Sequence, residues 1–176
     1  MNPLRDRRLY EVRRRLHSKN LDIGSGWFPI TPDSVTVDIE PEKSPDFCID
    51  VLKGLPFEDG SFDSVTCLEM LEHFKGLDQL AILSEICRVL HEGGELVVSI
   101  PYSWGPMRWA QRIVWFVRAR TSQKEYYKNG HVHGHIGLIE PGELGAMLIW
   151  SGFEVVEARR ILLYDYLVVA RKSFGN

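Results

Sequence analysis

The run Asn20–Ile23 reads as a short strand, and it ends directly in Gly24-Ser25-Gly26. A second β-type run, Val35-Thr36-Val37-Asp38-Ile39, begins only eight residues after Gly26. Those eight residues include Pro29 and Pro32. A strand-helix-strand crossover usually needs roughly 10–12 residues or more. The chain must therefore turn on its glycines and return to the sheet with almost no crossover helix. Pro41 and Pro45 leave equally little room after the second strand.

The rest of the pattern is regular. Strands are expected at Phe47–Asp50, Phe62–Leu68, Glu95–Ile100, Phe153–Ala158 and Leu163–Ala170. Leu77–Leu90 repeats apolar residues at helical spacing, and Gly93-Gly94 is read as its stop. Further helices are expected at Leu4–His17, Met107–Arg120 and Pro141–Trp150, where Pro141 suits a first turn and Gly152 an end. Alternating strands and helices predict an α/β open sheet. The sheet is mostly parallel, with an antiparallel last strand and helices on both faces, and the first crossover helices are shortened. The helix at residues 1–18 is expected to help cover the thinned face. With 176 residues and 44% apolar content, residues 1–176 read as a single domain with one core.

Charge and cysteines exclude several classes. A net charge of -3 gives no strong signal for nucleic-acid binding by phosphate neutralisation. Cys48, Cys67 and Cys87 are odd in number and far apart, so they form neither a disulfide framework nor a paired zinc motif. Each lies in an apolar run and reads as a buried free thiol. No apolar run approaches a membrane span of about 20 residues. A cytoplasmic protein is the expectation.

The glycine turn suits a ligand that approaches the backbone closely. Pro29 stands where a pyrophosphate-binding loop wants a third glycine, and Asp22 puts a carboxylate where it would repel phosphate. It would suit a ligand with an ammonium and a sulfonium, such as S-adenosylmethionine (SAM). Asp38 ends the second strand, where a carboxylate can accept two ribose hydroxyls. Asp50 follows the third and could accept an adenine amino group. Three acids at successive strand ends would converge at the carboxyl edge of the sheet.

Several segments in order resemble the class I SAM-dependent methyltransferases. Leu21-Asp22-Ile23-Gly24-Ser25-Gly26 looks like their first motif. Asp50, then Leu55-Pro56-Phe57-Glu58-Asp59-Gly60-Ser61-Phe62-Asp63, looks like the approach to the fourth strand. Glu69-Met70-Leu71-Glu72-His73, Arg88-Val89-Leu90-His91-Glu92-Gly93-Gly94, Gly142-Glu143-Leu144 and Ser151-Gly152-Phe153 resemble later segments. The resemblance implies a Rossmann-like form of the sheet with about seven strands, and direct methyl transfer from SAM to an acceptor it does not name. It implies a cofactor site of Asp22, Gly24, Ser25, Gly26, Asp38, Ile39, Asp50, Val51 and Glu69. His73 reads instead as a local packing or capping residue.

His131, His133 and His135 alternate along one stretch. A polar loop, a base or substrate-orienting group, and a zinc site all stay open for them. By resemblance His135 leads as the base, with His133 and Glu69 beside it, and no metal is assigned. Residues 102–136 read as an insertion or lid over the substrate side. Within it, residues 106–120 pair an apolar face with arginines and Trp115. A second reading is therefore a SAM-binding module without turnover, contacting a partner or membrane surface through that helix.

Overall fold

The computed structural model describes residues 3–102, 127–128, 131–132, 139–161 and 165–175. Helix α1 (Pro3–Arg13) precedes strands β1 (Asn20–Ile23), β2 (Val35–Asp38), β3 (Phe47–Cys48) and β4 (Phe62–Leu68). Helix α2 (Leu77–Val89) leads into β5 (Leu90–Pro101). Short strands β6 (Tyr127–Lys128) and β7 (His131–Val132) pair only with each other. Helix α3 (Pro141–Trp150), β8 (Phe153–Ile161) and β9 (Asp165–Lys172) complete the described elements.

Seven strands form one sheet in the order β3-β2-β1-β4-β5-β9-β8. The first five are parallel, and β9 runs antiparallel to both β5 and β8. This is the expected α/β sheet with one reversed strand. The glycine turn reaches β2 without a crossover helix, and the β2–β3 link holds only a 3-10 turn at Pro41–Lys43. The two shortened crossovers are therefore present.

Alternation along β5 separates two apolar layers. Leu96 and Val98 join the main core with Ile82, Leu83, Ile86, Leu144 and Leu148 from α2 and α3. Val97, one residue out of phase, faces the other layer. There it packs with Val12 of α1, Ile30 of the post-glycine loop, Ile161 and Leu167. So α1 and Ile30 fill the face that the missing crossover helix leaves open. Polar ties hold α1 in place. Arg13 Nε donates to the Ile30 carbonyl at 2.6 Å, and Arg15–Glu157 and Arg159–Glu11 ion pairs join α1 and its extension to β8.

Several boundaries differ from expectation. Helix α1 stops at Arg13, and looser turns carry the chain on to Leu16. Helix α2 stops at Val89 because Leu90 is already extended. Gly93-Gly94 therefore does not end the helix but lies inside β5. A Cβ on Gly94 would stand 2.9 Å from the His91 carbonyl oxygen and 3.2 Å from that of Asp63. Glycine is needed there for close backbone approach, beside the register shift between Phe62 and Ser64. The third strand is shorter than expected, ending at Cys48, and Cys48 is exposed rather than buried. Strand β8 extends to Ile161 and β9 spans Asp165–Lys172. Met107–Arg120, and with it Trp115, lies outside the described residues. So does most of the expected lid. Among the described residues, no helix is long and apolar enough to cross a membrane.

Ile30 is 2% exposed. Ile30→Ala should lower unfolding free energy by about 2–5 kcal/mol, measured by urea denaturation. A loss below about 0.5 kcal/mol would mean that the loop does not plug this face.

Candidate functional site

A cleft of about 720 Å³, counted to its open mouth, lies at the carboxyl edge of β1–β4. Its wall includes Gly24 after β1, Asp38 and Ile39 at the end of β2, Ile49 and Val51 after β3, and Glu69, Met70 and His73 after β4. Parallel strands direct all four loops to one edge, which is where ligands bind in open α/β sheets.

Backbone and carboxylate contacts build the glycine turn. Gly24 and Ser25 N–H groups donate to the Val37 carbonyl at 2.8 and 3.3 Å. Gly26 N–H donates to Asp38 Oδ2 at 2.9 Å. Gly24 has φ +71°, and a Cβ there would meet Met70 Cγ at 2.8 Å. Both the conformation and the crowding demand glycine.

The three acids do different jobs. Asp22 is 4% exposed. Its Oδ2 accepts from Ile30 N–H at 2.8 Å, and its Oδ1 accepts from the Thr66 hydroxyl at 2.8 Å. Burial raises its proton affinity, and these two hydrogen bonds oppose the rise. Asp22 thus clamps the loop from beneath and is absent from the cleft wall. Asp50 caps the 3-10 turn Val51–Lys53 by accepting from Leu52 N–H at 3.1 Å. It too stands outside the wall, while its neighbours Ile49 and Val51 line it. Only Asp38 of the three faces the cleft. Its Oδ1 accepts from Glu40 N–H at 3.0 Å. Lys43 Nζ lies 3.4 Å from Oδ2 and 2.6 Å from Glu40 Oε1.

The segment Leu55–Asp59 is a scaffold for the β3 side of the cleft. Arg88 of α2 donates to the carbonyls of Leu55 and Phe57 at 2.9 and 2.8 Å, and it pairs with Asp59 and Glu85. Phe57 stacks edge-on between Phe47 and Phe62, each centroid 5.0 Å away. These contacts explain why that motif and Arg88 occur together.

Glu69 follows β4 on the opposite side of the cleft. Its φ of +54° is left-handed, which is uncommon for a non-glycine residue and frequent at functional sites. Its N–H donates to the Ser99 carbonyl at 3.1 Å. Its Oε1 accepts from the Ser99 hydroxyl at 3.0 Å and lies 3.8 Å from Arg8 Nη1. Arg8 also reaches Asp165 Oδ2 at 3.4 Å. Burial, and then the Asp165 carboxylate, push the Glu69 carboxyl well above its ordinary range; Arg8 and Ser99 partly offset this. Burial and then Glu69 push the fully buried Glu72 up as well.

Sequence reasoning missed Ile49, Lys43, Met70, Arg8 and Asp165 as neighbours of the site, and it set His73 aside as a packing residue. Ile49 had a usable signal, the apolar position between Cys48 and Asp50. Arg8 and Asp165 had none, because only the folded chain brings α1 and the start of β9 near the end of β4. His133 and His135 lie outside the described residues. His131 is placed only as a backbone position in β7. Among the described residues, no three His, Cys, Asp or Glu side chains are arranged to hold a metal ion.

Both raised carboxyls make stability depend on pH. In the unfolded chain Glu72 ionises near its ordinary 4.5. In the fold it holds its proton to higher pH. Its contribution is fully present below that ordinary value and is lost as pH rises through the raised one. Glu72→Gln should therefore gain in melting temperature relative to the parent between about pH 5 and 8. A gap that stays constant or narrows would contradict the buried-carboxyl assignment.

Residues 30–98 match the family model described as a methyltransferase domain. A ubiquinone biosynthesis O-methyltransferase of Xanthomonas campestris pv. campestris (strain B100) is 32% identical over 139 residues, covering 77% of this chain and 54% of that protein. The chain spans about half the length of the curated relatives it matches, 44% for a Xanthomonas euvesicatoria protein of the same name. Among solved structures, a SAM-dependent methyltransferase from Methanosarcina mazei superimposes with TM-score 0.69 at 18% identity, covering 99% of both chains. The [4+2]-cyclase SpnF superimposes with TM-score 0.67 at 16% identity, covering 97% of this chain and 81% of that one. At 18% and 16% identity these two likenesses carry the fold alone. Residues 30–98 thus carry a methyltransferase-domain match on a sheet that shares its fold with a solved SAM-dependent methyltransferase.

Proposed function

We propose that the protein binds SAM in the cleft at β1–β4 and transfers its methyl group to an acceptor by direct displacement. The observation that carries this reading is the order of chemistry along the cleft. Ile39, Ile49 and Val51 form an apolar wall on the β3 side, suited to an adenine ring. Asp38 stands next at the end of β2 with a carboxylate suited to the ribose hydroxyls, which would take the place of the long Lys43 contacts. Gly24 follows at the end of β1 with an open backbone, and Glu69 closes the row at β4. SAM has the same order, from adenine through ribose to sulfonium. With adenine and ribose on β3 and β2, the sulfonium lies toward β1 and β4.

In methyl transfer the protein aligns acceptor and methyl and excludes water. SAM supplies a carbon activated by its sulfonium leaving group. The chain's own part is to hold the nucleoside with Asp38 and the apolar wall, and to present the methyl near Glu69. An acceptor that must lose a proton needs a base, and Glu69 lies within the cleft. The curated relatives are named as O-methyltransferases, which favours an acceptor hydroxyl over nitrogen, sulfur or carbon. His133 and His135 remain proposed acceptor-side groups, and residues 102–136 the proposed cover of that side. The three cysteines are free, in keeping with a reducing compartment, and we place the protein in the cytoplasm.

Isothermal titration with SAM and its demethylated product should give one site per chain. Asp38→Ala should weaken both ligands about ten- to a hundredfold, the loss of charge-assisted hydrogen bonds. Unchanged affinity would remove Asp38 from the ribose site, and no binding of either ligand would reject the cofactor. Tight SAM binding with no methyl transfer to any hydroxyl or amine substrate in a broad panel would favour the second reading, a binding module without turnover.

A further inference from the structure

Arg8 from α1 and Ser99 from β5 reach Glu69 at the β4 end of the cleft, and Asp165 from β9 pairs with Arg8. Glu72, from the 3-10 turn Leu71–His73, lies close enough for Glu69 to act on its proton affinity. His73 shares the cleft wall, with Asp38, Glu40 and Lys43 on the far side. Among the described residues, the Arg8 guanidinium thus faces the Glu69 and Asp165 carboxylates. The Glu69 side chain is 25% exposed, and the residue lines the cleft. Its backbone is held in the left-handed region. Adjacent strands are about 4.8 Å apart, so Glu69 lies two strands, about 10 Å, along the edge from Asp38. That is the stretch where a nucleoside seated on Asp38 would place its sulfonium.

We propose that Glu69, braced by Arg8 and Asp165, reads the charge of the cofactor: it releases its proton when SAM enters and regains one once the methyl has left. The inference rests on the methyl-transfer reading above and deepens it. The physical reason is charge balance in a poorly solvated pocket. A cationic sulfonium beside an ionised carboxylate is a compensated pair, whereas the neutral thioether of the product leaves a buried carboxylate without its partner. The balance closes over one turnover. The acceptor's lone pair forms a bond to the methyl carbon, the carbon–sulfur bond breaks, and its electron pair stays on sulfur. Sulfur loses its positive charge, and Glu69 takes up one proton, from the acceptor's O–H or N–H group or from water. The net charge at this end of the cleft is the same before and after. Burial and Asp165 keep the free Glu69 carboxyl ready to hold a proton near neutrality, as this exchange requires. Buried Glu72, raised further by its neighbour, keeps its own proton when Glu69 ionises. The consequence is discrimination. SAM gains affinity from an ionised Glu69, and the demethylated product does not.

The test is isothermal titration of the intact chain with SAM and with the demethylated product, in pairs of buffers differing in ionisation heat, between about pH 6 and 8. SAM should release protons on binding, and its affinity should rise with pH by up to about tenfold per unit. The product should release none and stay within about twofold. Glu69→Gln should flatten the SAM profile, while His73→Gln should leave its slope intact. Arg8→Gln should move the pH window upward, because Glu69 then keeps its proton longer. Asp165→Asn should move it downward, and these two shifts serve as the test if Glu69→Gln does not fold. Equal proton release for both ligands, or a pH slope that survives Glu69→Gln, would overturn the proposal while leaving the cofactor assignment standing. Absence of binding by either ligand would instead overturn the cofactor assignment itself.

Discussion

The buried carboxylate of Asp22 is the contact on which the rest of the site depends. It accepts from Ile30 N–H on one side and from the Thr66 hydroxyl on the other. One side chain therefore fixes the return of the glycine loop and ties β1 to β4. In an ordinary doubly wound sheet a crossover helix would hold that loop by packing. Here the loop is too short for one, and hydrogen bonds replace the helix. An unmatched N–H or hydroxyl at this depth would cost about 1–3 kcal/mol, so the acid is required for structure before any ligand arrives. Ile30, held by this contact, then becomes the apolar plug that lets α1 close the open face.

The two ends of the cleft follow from this frame. On the β3 side, Arg88 gathers two carbonyls and two carboxylates and fixes the Leu55–Asp59 segment that follows Ile49 and Val51. On the β4 side, α1 delivers Arg8 to Glu69 because Val12 and the ties to β8 seat that helix on the sheet. The helix that covers the thinned face thus also sets the electrostatics of the cleft. Structure and chemistry share the same residues at that point.

The sheet was legible from alternation and turn residues. Asn20–Ile23, Phe62–Leu68 and Pro141–Trp150 fold with the boundaries their patterns indicate, since local periodicity and flanking glycine or proline decide them. Gly93-Gly94 misled because glycine serves close backbone approach as well as helix ends, and the tight β4–β5 contact is a tertiary fact. Asp22, Asp38 and Asp50 look alike in sequence but differ in space: one lies beneath the loop, one faces the cleft, one caps a turn. Pleat direction and a one-residue offset from the strand end make that difference, and composition does not encode it. Arg8 and Asp165 come from distant parts of the chain, so no local pattern could join them to Glu69.

The proposed nucleoside lies along the strand edge with its sulfur end at Glu69. A crystal structure with the demethylated cofactor bound would show its direction. Ribose hydroxyls are expected on the Asp38 carboxylate, adenine against Ile39, Ile49 and Val51, and the thioether sulfur between Gly24 and Glu69. A nucleoside bound in the reverse direction, or outside the β1–β4 edge, would contradict this placement.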